Sequence, residues 1–170
     1  MDLKEQLLHI LFSQFKQEIF DFKIGIVGSF MYQTLGVPLT KKKDIDLIII
    51  EGEEGDDIMN RIELFTHQMK IFQSVKRKVW INKDNVPQNT AHIFTSMGLV
   101  ELFRKSKDTY DNRLYPIIPG VVMGTTKFSL QVDYYTYLIN KAIEYNKTYL
   151  VPKFTKVLNR YKELCETETT

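Results

Sequence analysis

A single cysteine, Cys165, stands in the whole chain. One thiol makes no intramolecular disulfide, and a cysteine-based zinc cluster needs several. No apolar stretch is long enough to span a membrane, and no basic segment followed by an apolar run opens the chain as a signal peptide would. The expectation is a cytoplasmic protein with no membrane partner. Net charge is only +2, too small by itself to demand a nucleic-acid partner. Internal repeats, low-complexity tracts and domain linkers are all missing. One domain over 1–170 is therefore expected, with a core over about 20–133 and C-terminal helices over about 134–165.

Against these absences, one region is dense with signal. Ile24-Gly25-Ile26-Val27-Gly28-Ser29 reads as an apolar strand ending in a glycine-serine turn, and Asp44-Ile45-Asp46-Leu47-Ile48-Ile49-Ile50 as the next strand. Side chains alternate along a strand, so Asp44 and Asp46 share one face while Ile45 and Leu47 take the other. Two carboxylates held together raise each other's pKa unless a cation lies between them, and hard oxygen ligands suit Mg²⁺ or Mn²⁺. Gly28 permits close approach of the backbone to a ligand, and the Ser29 hydroxyl with nearby amides can donate to phosphate oxygens. Lys41, Lys42 and Lys43 precede the carboxylates; they can neutralise a triphosphate or a nucleic-acid backbone, or form a solvated loop.

This arrangement, from Ile24 to Ile50, resembles the nucleotidyltransferase superfamily that includes DNA polymerase β, poly(A) polymerases, CCA-adding enzymes and antibiotic nucleotidyltransferases. The resemblance implies an α/β (α+β) fold: a mixed β-sheet flanked by helices, with a helical C-terminal segment. It implies that Gly28 and Ser29, with Lys43, bind the nucleotide, and that Asp44 and Asp46 are catalytic ligands of Mg²⁺ or Mn²⁺. The implied reaction moves a nucleoside monophosphate from an NTP to a hydroxyl acceptor, which is a small molecule, a protein or a nucleic acid. Within the family, a third carboxylate on a later strand helps hold the metal and acts as base.

The candidate for that third role is Asp133, at the end of a Phe128-to-Val132 alternation that reads as a strand, or as the N-cap of a helix that follows. Glu101 is a lesser candidate on an exposed helix face, because Gly98 to Lys107 reads as a helix. His92 lies in the strand candidate Thr90 to Thr95. A chain without a third acid would be a degenerate binding or antitoxin-like relative. The order from Gly-Ser through His92 to a helix carrying Arg104 also resembles small family X DNA polymerases, although Ser96 stands where that layout has glycine.

Elsewhere, Leu3, Leu7, Leu8, Leu11, Phe12 and Phe15 recur at helical spacing over about 2–19. Gly52 to Gly55 read as a turn before a helix running to about Lys70, and Ser74 to Ile81 as a basic, exposed strand. Tyr110 to Gly124 reads as an irregular loop able to close over a ligand. The tyrosines from Tyr134 to Tyr149 lie on a helix, as packing residues or as a stacking surface for a base.

Overall fold

The computed structural model describes residues 1–37 and 44–169, so the lysine run 41–43, and with it the nucleotide-binding role expected of Lys43, lies outside the described residues. The first helix, α1 (Leu3–Gln14), is capped by the Asp2 side chain, which accepts from the Glu5 amide at 2.8 Å. This satisfies one of the donors that a helix start leaves open. The expected single helix breaks at Phe15, whose backbone leaves helical geometry and whose ring meets Phe65 edge-on at 5.9 Å; a short α2 (Lys16–Phe20) follows. Then come β1 (Ile24–Val27), α3 (Ser29–Thr34) and β2 (Ile45–Ile50), all close to the sequence reading. Helix α4 (Glu53–Gln68) starts directly after Gly52, so the expected turn at 52–55 is the helix's first turn. Its acids Glu53, Glu54 and Asp56 lie where the helix dipole favours negative charge.

Three antiparallel strands follow: β3 (Phe72–Ile81), β4 (Pro87–Thr95) and β5 (Gly98–Lys105). The last corrects the helix expected over 98–107. Leucine, glutamate, arginine and lysine favour a helix when alone, but here the segment pairs on both edges, with β4 and with β2. A second correction concerns 110–124, which is a hairpin of β6 (Tyr110–Ile118) and β7 (Val121–Thr126) turning at Gly120, φ +84°, and not a loose loop. The chain ends in two packed helices, α5 (Phe128–Glu144) and α6 (Val151–Thr169).

All seven strands join one mixed sheet in the order β3-β4-β5-β2-β1-β7-β6. One face is apolar: Ile24, Ile26, Ile45, Leu47, Ile49, Ile93, Val100 and Leu102 share a buried cluster with residues of all six helices. The opposite face carries a small second cluster, Ile48, Ile50 and Tyr110 with Phe22, Val27 and Phe103 against it. Helices cover one side, as expected of the fold, and the carboxylates face the other. No helix among the described residues is long and apolar enough to cross a membrane.

Candidate active site

Strand register builds the site. Val27 on β1 pairs with Asp46 on β2, Asp46 with Glu101 on β5, Glu101 with His92 on β4, and His92 with Lys76 on β3. Directly paired residues project to the same face, so one row across five strands places Asp46, Glu101, His92 and Lys76 side by side on the open surface. Glu101 is thus a strand residue next to Asp46, correcting its placement on an exposed helix face.

Asp46 is the electrostatic centre of this row. Its carboxyl is pushed up to about 9, first by burial, then by a hydrogen bond to Glu101 and by the charges of Glu101 and Asp44; Lys153 works in the opposite direction. Both effects penalise the ionised form, one by removing water and the other by adding like charge. Its Oδ1 is buried with no hydrogen-bond partner. Asp44 is partly compensated by Lys4 Nζ at 3.5 Å. On the far side of Glu101, His92 Nδ1 stands 3.8 Å from Oε1, and its ring lies edge-on to Phe103 at 6.3 Å.

The glycine-serine turn closes against the same carboxylate. Gly28 has φ +74°, in the left-handed region, and a Cβ there would overlap Asp46 Oδ2. Gly28 therefore lets the end of β1 lie against Asp46, and Ser29 opens α3 immediately after it. Gly28→Ala combines a left-handed backbone with this overlap and is expected to cost about 1–3 kcal/mol; urea unfolding measures it, and an unchanged midpoint would count against the close packing of this turn on Asp46.

From the C-terminal helices, Lys153 acts on Asp46 through its charge. The Tyr134 hydroxyl is pushed up by burial, with Tyr137 and Asp46 adding to it. Two elements far along the chain therefore approach the row. Asp133 sits differently from its expected position at a strand end or helix cap. It lies inside α5, is exposed, and the charges acting most strongly on Asp46 belong to Glu101, Asp44 and Lys153. Arg104, expected on a helix, is a buried residue of β5.

Among the described residues, no three His, Cys, Asp or Glu side chains are drawn together into a ready metal cage. The Asp46–Glu101 pair still suits a hard divalent cation. It offers oxygen donors, an orphaned buried oxygen and an excess of like charge that a positive ion would relieve. Asp44, one strand position before Ile45, is the third oxygen donor nearby. Glu101 was legible in Val100-Glu101-Leu102, an acid between two apolar residues, once that segment is read as a strand. Lys153 carried no local signal, since only packing brings α6 to β2. Comparison of the sequence with protein-family models and with curated proteins returned no match.

Proposed function

We propose that the protein is a metal-dependent nucleotidyltransferase, moving a nucleoside monophosphate from an NTP to a hydroxyl. The observation that carries this reading is the pairing of Asp46 with Glu101 on adjacent strands, directly beside the Gly28–Ser29 turn. A lone Asp-x-Asp strand is a common pattern; two acids from separate strands meeting at a glycine turn, with the carboxyl of Asp46 pushed well above its ordinary value, support a functional reading more strongly.

In this reading Asp44, Asp46 and Glu101 would hold Mg²⁺ or Mn²⁺, which when bound supplies charge stabilisation to the attacking and leaving oxygens. Gly28 and Ser29 hold the phosphates, and Lys153 offers a cation to the triphosphate. Glu101 takes the proton of the incoming hydroxyl. The hydroxyl oxygen bonds to the α-phosphorus, the bond from that phosphorus to the bridging oxygen breaks, and pyrophosphate leaves. Tyr134, half exposed beside the site, is placed to stack on the base. The degenerate alternative rests on a missing third acid, and the position of Glu101 beside Asp46 counts against it.

The test is pyrophosphate release from radiolabelled NTPs with Mg²⁺ or Mn²⁺ and a mixed pool of hydroxyl acceptors. Glu101→Gln is expected to lower the rate about 10²- to 10⁴-fold, the usual worth of a general base, while Asp133→Asn stays within about twofold because it is a solvated position. Turnover that ignores Glu101→Gln, or none in the unaltered protein, would remove the proposal.

A further inference from the structure

We propose that the open sheet face beyond the carboxylates, across β4 and β3, binds a single-stranded nucleic acid and presents its terminal hydroxyl as acceptor. The acceptor role rests on the transferase reading; the binding surface stands on its own observations.

The row that joins Asp46, Glu101 and His92 ends at Lys76 on β3. At about 4.8 Å per strand, Lys76 lies roughly 14 Å from Asp46. Strand alternation puts Lys78 and Trp80 on this same face. Among the described residues, Lys76 and Lys78 make no ion pair, whereas Arg77, on the other face, is held by Glu63. Lys76 Nζ stands 6.0 Å from the centre of the Phe94 ring, whose residue also belongs to the open face. Trp80 is 41% exposed on this face. Unpaired cations interleaved with aromatic rings form a surface that neutralises phosphates and stacks bases.

The alternatives fit less well. β3 is an edge strand, and edge strands invite a second copy of the chain. Antiparallel self-pairing through Lys76-Arg77-Lys78 would set like charges opposite one another, which is unfavourable. A duplex would present its bases in grooves that are read by an inserted helix or ribbon, and this face is a broad sheet. A single strand exposes both phosphate and base to such a surface.

Fluorescence anisotropy with labelled oligodeoxynucleotides and oligoribonucleotides, without NTP, tests the surface across a salt series. Lys76→Ala/Lys78→Ala is expected to make the slope of log affinity on log salt shallower by about 1.4, two phosphate contacts at about 0.7 each. Both positions are exposed, and circular dichroism checks that the variant folds. Glu101→Gln is expected to keep the full slope. A preference for one oligonucleotide identifies the acceptor's sugar and upholds the proposal. No oligonucleotide binding, an unchanged slope, or a salt-insensitive dimer that the lysine variant dissolves overturns it. Transfer to a small hydroxyl acceptor without oligonucleotide binding would leave the transferase standing and sink the surface; binding without any transfer would do the reverse.

Discussion

Asp46→Asn is expected to make the metal-free protein more stable and at the same time remove the proposed transferase activity. In the folded chain the Asp46 carboxyl keeps its proton to about 9, against an ordinary 3.8. Between those values the folded state binds more protons than the unfolded one, so this group's contribution is fully present below pH 4 and is lost as pH rises toward 9. Asparagine is neutral throughout and escapes the loss. At pH 8 the variant is therefore expected to melt above the unaltered protein, and at pH 5 the difference is expected to be smaller. On the proposed chemistry, activity is expected to fall about 10³-fold or more, because Asp46 would be a metal ligand and such a ligand contributes several kcal/mol to the transition state. Melts in chelator at pH 5 and pH 8, then with Mn²⁺, separate the two effects. The unaltered protein should gain about 2.7 kcal/mol at a hundredfold excess of ion over its dissociation constant, and the variant little. A variant that melts below the unaltered protein at pH 8 in chelator would refute this account of Asp46.

The second large effect is expected from Arg104→Ala. The guanidinium is fully buried. It donates to the Ile50 carbonyl at 3.0 Å, the Gly52 carbonyl at 2.6 Å, the Asn89 carbonyl at 3.1 Å and the Asp56 carboxylate at 2.7 Å. One side chain thereby ties β5 to the end of β2, the start of α4 and β4. Removing it leaves three carbonyls without this donor, while the half-exposed Asp56 turns to water, a loss expected at about 3–5 kcal/mol and about 6–20 °C. Lysine does not substitute, since a single ammonium cannot reproduce a planar fork aimed at four acceptors. Gly55 is part of the same clamp, because a Cβ there would overlap both the Ile50 carbonyl and the guanidinium. Urea unfolding measures the cost, and a loss under about 1 kcal/mol would show the clamp to be dispensable.

The two halves of the molecule differed in legibility. β1, α3 and β2 announced themselves through apolar runs, the Gly28 turn and the Asp44/Asp46 alternation, all local signals. Residues 98–105 did not. Val100, Leu102 and Arg104 are buried on one face, a two-residue period, yet their helix-favouring neighbours outweighed it on paper. Pairing with β2 decided the outcome, and that contact joins segments separated by a helix and a hairpin. The helix reading also sets Glu101, a lesser candidate, on an exposed face away from Asp46, while Asp133 ends an alternating run that folds as part of helix α5. Lys153 and Tyr134 reach the site only through the packing of α5 and α6, which no short window reveals.

β2 and β5 run parallel, so no tight turn can align them and the intervening α4, β3 and β4 must be bridged first. Closing so long an excursion is entropically slow relative to the neighbouring β1–β2 pairing. On the proposed chemistry, a chain still emerging from the ribosome displays its glycine turn and aspartate strand well before its base. On that chemistry, competence waits for β5 to pair with β2, and a partly synthesised copy that carries the recognisable motif but not β5 would leave nucleotides untouched.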